Sequence, residues 1–389
     1  MASHRPEILL YGWFGEGNVG DELILSSLVG LVRQAMPSAT ISVMGSKPSQ
    51  IAQYHSHEKI NGVISTYVDH RPRSIARTLK HGAGAVLHNL HSPDAVIMAT
   101  GGALSDWNYD SAIPIIDLIN CWGRHKVPIY MFGIGAGPIT KPGSQQRFFG
   151  PLSKVEVITV RDEYSKNELE KLGLNNVRLT QDVVFAAGNL CDKKTKHYLD
   201  RSVHTIGVVV APVCRETPEV YERYVANLKC ALSILADTYE VTLIPFQKSY
   251  DLLLMRELRN SDRRIKLFEG GDDIRATLAE FEHQDLIIGM RFHAIVKSLM
   301  NRKPVIPIVY HPKCFSLASE MGLADYCEFV GNGNNWPVSN IDTGRLVRSV
   351  EAIQNDARYC DLLETRLKAM EEGVYELELL SSLASALHQ

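Results

Sequence analysis

Gly15-Glu-Gly-Asn-Val-Gly-Asp-Glu22 carries the spacing G-x-G-x-x-G at Gly15, Gly17 and Gly20. The apolar run Ile8-Leu-Leu-Tyr11 precedes it, and the helical pattern opening Leu23-Ile-Leu25 follows it. Strand, glycine turn and helix open a parallel α/β unit, and in that context the motif marks a dinucleotide site. Two features argue against the dinucleotide. A pyrophosphate rests on the helix N-terminus, where free N–H groups and the dipole favour anions, but Asp21 and Glu22 put two negative charges in that turn. The ribose needs a carboxylate about 20 residues on, at the end of the second strand, and that strand ends Met44-Gly-Ser46. The stretch is then either a tight turn with Asp21 as helix cap or a turn presenting Asn18 and Asp21 to a ligand.

Working outward, the first half alternates β-branched runs with amphipathic stretches. Strands are expected at 7–11, 40–44, 62–67, 95–100, 128–133, 155–160 and 177–185. Helical patterns include 23–36, 111–124 and 163–172. The second half repeats the rhythm, with strands at 205–210, 241–245, 265–268, 286–288 and 305–309. Helices are expected there at 216–238, 250–259, 274–281, 293–301 and 314–321. Alternation of this kind gives parallel sheets covered on both faces. The expected division is a Rossmann-like domain at 1–187, a polar lysine-rich linker at 188–203, a second such domain at 204–341 and a helical tail at 342–389. Two open α/β domains in succession suggest a cleft between them, and ligands of such sheets bind at the carboxyl ends of the strands.

Composition narrows the function classes. Apolar content of 45% and charged content of 22% are those of an ordinary globular chain. A net charge of −3 gives no basic bias toward nucleic acid. The seven cysteines are scattered with no C-x-x-C, which makes a disulfide framework or a zinc site unexpected and a reducing cytosol the default. The longest apolar runs are strand-sized, short of the ~20 residues a membrane helix needs.

The strand ends concentrate the informative residues. Thr100-Gly-Gly-Ala-Leu-Ser-Asp106 pairs Gly101 and Gly102 after an apolar strand, which allows close backbone approach to a ligand. Asp106 then either faces the site or caps the next helix. Gly133-Ile-Gly-Ala-Gly-Pro138 is a third small-residue turn, so one crowded site is expected where these loops meet. Arg161 ends a buried strand, a costly place for a cation unless it is paired, by Asp162 or Glu163, or meets an anion. In Leu286-Ile-Ile-Gly-Met-Arg-Phe-His-Ala294, a strand ends at Gly289 and Arg291 and His293 open the next helix. A cation and an imidazole beside free helix N–H groups form an anion site with a general acid or base at hand. There is no P-loop, no G-x-S-x-G, no H-E-x-x-H and no D-x-D pair, and the E-x7-E spacing of Glu320 and Glu328 reads as chance.

Taken in order, 11–22, 100–106, 133–137, 160–165, Gln181-Asp182 and 289–293 resemble the polysaccharide pyruvyl transferase family. These enzymes add pyruvate ketals to cell-wall and capsular sugars. One departure is Ala103, where many members carry a third glycine. The resemblance implies two Rossmann-like domains arranged as in GT-B glycosyltransferases, with a C-terminal helix returning to the first domain. It implies phosphoenolpyruvate as donor substrate, a sugar with two hydroxyls as acceptor, no cofactor and no metal.

On that resemblance, Arg161, Arg291 and His293 bind phosphoenolpyruvate, whose phosphate and carboxylate both suit arginine. His293 also serves as general acid, and Asp106 or Asp21 as general base. Asn18, Asp21, Gly101, Gly102 and Asp106 line the acceptor side. A cytoplasmic enzyme is expected, at the inner membrane face where its acceptor is lipid-linked. Nucleic acid is not expected as a partner, and a homo-oligomer is left open. The competing readings are a GT-B glycosyltransferase using a nucleotide sugar and a non-catalytic carbohydrate-binding protein.

Overall fold

The computed structural model of the protein describes residues 5–65, 93–106, 109–186, 202–270, 274–334, 336–354, 356–372 and 375–387. Its chain separates into two units by internal contact. The first comprises residues 1–16, 21–190 and 373–389, and the second 17–20 and 191–372.

In the first unit, β1 (Glu7–Tyr11) lies centrally, between β2 (Thr40–Gly45) and β4 (Ala95–Met98). With β3 (Gly62–Ser65), β5 (Ile129–Ile134), β6 (Val157–Val160) and β7 (Val177–Leu179), the sheet order is β3-β2-β1-β4-β5-β6-β7. Every pairing is parallel. A parallel sheet carries helices on both faces, so its central strands bury every side chain. All four residues of β4 are buried, as are Ile8, Leu9, Leu10 and Tyr11 of β1. The helices are α1 (Val19–Ala35), α2 (Pro48–Tyr54), α3 (Tyr109–Arg124), α4 (Ser144–Leu152), α5 (Glu163–Glu170) and α6 (Val183–Ala186). Ile115, Ile119 and Trp122 of α3 and Phe148 of α4 pack with Val96, Met98, Met131 and Ile158 in one core. Burying an aliphatic or phenyl side chain there contributes about 1.5–3 kcal/mol.

The second unit repeats the plan. Its strands are β8 (Thr205–Val209), β9 (Glu240–Leu243), β10 (Lys266–Leu267), β11 (Leu286–Gly289), β12 (Val305–Val309) and β13 (Glu328–Phe329), in the order β10-β9-β8-β11-β12-β13. All pair in parallel. Its helices are α7 (Pro218–Leu235), α8 (Lys248–Ser261), α9 (Ile274–His283), α10 (Phe292–Met300), α11 (Pro312–Glu320), α12 (Thr343–Ile353) and α13 (Ala357–Glu372). The strand order of each sheet therefore reverses once, between β1 and β4 in the first unit and between β8 and β11 in the second. That reversal opens the crevice in which such sheets take ligands.

The expected alternation of strands and helices is present. The stretch 177–185, expected as one strand, is instead β7 followed by α6. Asp182 breaks it, because its Oδ1 accepts the Val184 N–H at 3.0 Å and its carbonyl accepts the Phe185 N–H at 2.9 Å, starting a helical turn. The seven-residue α2 and the two-residue β13 are too short to show a period, and neither is singled out in the sequence. Residues 66–67 of the expected third strand and 188–201 of the expected linker lie outside the described residues.

The last helix, α14 (Tyr375–Leu387), belongs to the first unit. Its Glu376 is buried and accepts the hydroxyls of Thr159 at 2.6 Å and Thr180 at 2.8 Å. No described helix is long and apolar enough to cross a membrane.

Candidate active site

In the first unit the loops after β4 and β5 are laced together. The Gly135 N–H donates to Gly101 O at 2.6 Å and the Gly137 N–H to Leu104 O at 2.7 Å. Gly101 has a φ of 57°, a left-handed conformation that glycine adopts without strain. A Cβ placed on it would lie 3.5 Å from Asp21 Oδ1, so Asp21 of the first turn of α1 lies beside Gly101. Gly102, beside it, is exposed.

Asp106 is engaged through one oxygen by the loop after β5. Its side chain is fully buried, and Oδ2 accepts the N–H groups of Thr140 at 2.6 Å and Lys141 at 2.5 Å. Held by two backbone donors, this oxygen fixes the loop after β5. Asp106→Ala is expected to lower unfolding stability by about 1–3 kcal/mol, since it strands two half-buried donors. Urea denaturation checks this. Lost activity at unchanged stability would restore Asp106 as a base.

Arg161 has the ion pair that the sequence left open, with Asp162 as one partner and Asp182 as a second, nearer one. Its Nη1 lies 2.8 Å from Asp182 Oδ2, and its Nε 3.8 Å from Asp162 Oδ2. Asp162 itself caps α5 through the Ser165 N–H at 2.7 Å. Arg161 is thus a buried cation compensated within the first unit.

The glycine turn divides its work. The cap of α1 is Asn18, not Asp21: its Oδ1 accepts the Gly20 N–H at 3.0 Å. Glu22 turns inward, and its Oε1 accepts the Gly15 N–H at 2.8 Å while Oε2 meets His55 Nε2 at 3.0 Å. Its carboxylate is therefore shared between the first glycine of the turn and an imidazole. His55 Nδ1 lies 3.0 Å from Glu58 Oε1. Burial opposes the His55 charge, but hydrogen bonds to Glu22 and Glu58 outweigh it and raise its pKa to about 9. This buried triad gave no local sequence signal, because Glu22 and His55 are 33 residues apart.

In the second unit, Arg291 is the N-cap residue of α10 and His293 sits in its first turn. Arg291 Nη2 pairs with Asp251 Oδ1, and Nη1 donates to Gln247 Oε1 at 3.1 Å. Asp251 is fully buried, and its other oxygen accepts the Phe246 and Gln247 N–H groups at 3.1 and 2.8 Å. Burial disfavours the guanidinium charge, but attraction to Asp251 outweighs it, so the Arg291 pKa stands raised. The side chain keeps 15% of its surface open and lies over the Tyr250 ring at 5.5 Å. His293 meets the Phe292 ring edge-on at 5.3 Å. Residues 17–20 group with this unit, and a Cβ on Gly20 would lie 2.2 Å from His293 Nδ1. The third glycine of the motif is therefore the space the histidine ring needs. Asp251, Gln247 and Tyr250 were missed in the sequence, although all follow β9, a strand end where site residues belong.

A family model for polysaccharide pyruvyl transferases matches residues 18–312, from Asn18 within the glycine turn through Asp106, Arg161, Arg291 and His293. The chain belongs to the polysaccharide pyruvyl transferase family. It is a transferase of polysaccharide biosynthesis with the GT-B fold. Solved structures share that fold at low identity. A Neisseria meningitidis UDP-GlcNAc 2-epimerase bound to UDP-GlcNAc is 11% identical with a TM-score of 0.62, over 98% of this chain and 100% of that one. UGT71G1 of Medicago truncatula, complexed with UDP-glucose, is 9% identical with a TM-score of 0.60, over 99% of both chains. A UDP-forming α,α-trehalose-phosphate synthase from Burkholderia vietnamiensis is 10% identical with a TM-score of 0.54, over 99% of this chain and 97% of that one. No curated protein matches the sequence.

Proposed function

We propose that this transferase moves the pyruvyl group of phosphoenolpyruvate onto two hydroxyls of a sugar in a cell-surface glycan or its precursor. The product is a pyruvate ketal and inorganic phosphate. The observation that carries the reading is the fixed Arg291 beside His293 at the end of β11, within a chain of this family. Asp251 and Gln247 hold the guanidinium in place before any donor arrives, so little orientation is left to be lost on binding.

The chemistry needs three things of the protein. The donor's acidic groups need a cation, which Arg291 supplies. As the first hydroxyl adds to C2, the methylene carbon takes a proton, and His293 is the acid that gives it. The second hydroxyl then displaces phosphate from C2. Of the two hydroxyl protons, one replaces that spent by His293 and the other leaves with phosphate. Asp21 is the carboxylate proposed to accept the hydroxyl proton that leaves with phosphate and to pass it on to that phosphate, since Asp106 Oδ2 is engaged by the backbone. The role of Arg161 becomes positional, because Asp182 already answers its charge. The proposed place of action is the cytoplasm, at the inner membrane face where the acceptor is lipid-linked.

The test is thermal stabilisation by phosphoenolpyruvate beside a panel of nucleotide sugars, followed by phosphate release across candidate sugars. Stabilisation by phosphoenolpyruvate and acceptor-dependent phosphate release are expected. A shift with a nucleotide sugar and none with phosphoenolpyruvate would overturn the reading in favour of glycosyl transfer.

A further inference from the structure

The sequence placed one arginine at the donor end of the second unit. The structure shows a second, Arg215, in the loop between β8 and α7. We infer that Arg215 and Arg291 together form a two-cation site at the sheet reversal of the second unit, each holding one acidic group of the donor. The inference rests on the pyruvyl-transfer reading for the donor's identity, but its geometry is independent of that reading.

Three observations carry it. First, β8 and β11 are the neighbours between which the strand order reverses, Val209 pairing with Gly289. Arg215 follows one of these strands and Arg291 the other, so the two cations border the crevice where open α/β sheets take ligands. Second, both guanidinium groups lie against the same ring, that of Tyr250, with Cζ atoms 5.9 and 5.5 Å from its centroid. Third, Arg215 is exposed and makes no ion pair among the described residues, where Arg291 is engaged by Asp251. Its neighbour Glu216 is turned away to Asn332 Nδ2.

The loop that presents Arg215 is built rather than slack. Cys214, buried, has a φ of 61°, a left-handed conformation that costs a non-glycine residue about 1–3 kcal/mol and persists only where its surroundings enforce it. Here the Tyr224 hydroxyl donates to Ala211 O at 3.0 Å, and the Ala211 N–H meets Met290 Sδ at 3.3 Å. The second contact ties the Arg215 loop to the residue directly before Arg291. Phosphoenolpyruvate carries a phosphate and a carboxylate on one carbon. A pair of guanidinium groups bordering one ring offers a separate cation to each of these acidic groups.

The experiment is calorimetric titration of the full chain and its Arg215→Ala, Arg215→Lys and Arg291→Lys variants with phosphoenolpyruvate and, separately, with UDP. Arg215→Ala is expected to weaken phosphoenolpyruvate binding at least roughly tenfold with an unchanged Tm, because the side chain is exposed, and Arg215→Lys to recover part of the loss. Unchanged phosphoenolpyruvate affinity in Arg215→Ala, beside a loss in Arg291→Lys, would overturn the inference and leave pyruvyl transfer standing. Binding of UDP alone, weakened to a similar degree by Arg215→Ala, would keep the two-arginine site and overturn the donor assignment. Absence of binding by both ligands to the unaltered protein would overturn the site itself.

Discussion

His293→Asn is expected to lower turnover by about 10²- to 10⁴-fold, the range for removing a general acid, while phosphoenolpyruvate still binds within a fewfold of its original affinity. His293 lies in the first turn of α10 and shares a tight space with Gly20, so asparagine, smaller than the ring it replaces, enters without displacing the turn. The proton to the methylene carbon is then lost, while the cation that holds the donor remains. Arg291 should show the opposite signature, with Arg291→Lys weakening donor binding because one ammonium replaces a planar fork. Arg291→Ala is a poorer probe. It strips a fully buried Asp251 of its partner, and breaking a buried pair costs about 3–5 kcal/mol. Steady-state kinetics with calorimetry on His293→Asn and Arg291→Lys separate the two roles. Equal loss of binding in both would remove His293 from acid catalysis.

His55→Ala is expected to destabilise the first unit by about 3–5 kcal/mol, because it leaves Glu22 and Glu58 buried side by side without the cation between them. The side chains of His55 and Glu22 retain only 3% and 1% of their surface. The same triad predicts a pH dependence. The folded pKa of His55 is raised to about 9 from an ordinary value of 6.5. The stabilisation is therefore complete below about pH 6.5 and is lost as pH rises through about 9. The loss is at most about 3.5 kcal/mol, since each tenfold gain in proton affinity on folding is worth about 1.4 kcal/mol. On the acid side, Glu58 is held below its usual range: burial opposes its charge, but the His55 hydrogen bond and charge prevail, so its contribution fades as pH falls through that lowered value. Thermal unfolding from about pH 6 to about pH 10 checks the alkaline limb, and His55→Gln should flatten it. A parallel alkaline decline in His55→Gln would assign the effect to other groups. Because Glu22 also receives the Gly15 N–H, loss of the triad should loosen the glycine turn as well.

The fold was legible because it rests on local pattern. Ile8-Leu-Leu-Tyr11, Ala95-Val-Ile-Met98 and Val305-Ile-Pro-Ile-Val309 are continuous apolar runs, the mark of strands covered on both faces, and each became an interior strand of its sheet. Failures came where the pattern is short. α2 has seven residues and β13 two, less than the span a period needs to declare itself. The order of Arg161, Arg291, His293 and the glycine turns along the chain was enough to indicate the family.

What the sequence determined by itself was which residues stand at strand ends, since that depends on spacing along the chain. What only the tertiary structure decided was which partner each charge meets. Asp182 answers Arg161, Asp251 answers Arg291, His55 answers Glu22, and Arg215 reaches the ring that Arg291 covers. The reason is physical. A buried charge is set by the nearest opposite charge in space, and the first three of these partners lie 21, 40 and 33 residues away along the chain. The glycine turn that opened as a dinucleotide signature shows the same division. Its spacing announced a tight strand-to-helix turn, and only the folded chain assigned Gly15 to Glu22, Asn18 to the helix cap and Gly20 to the space beside His293.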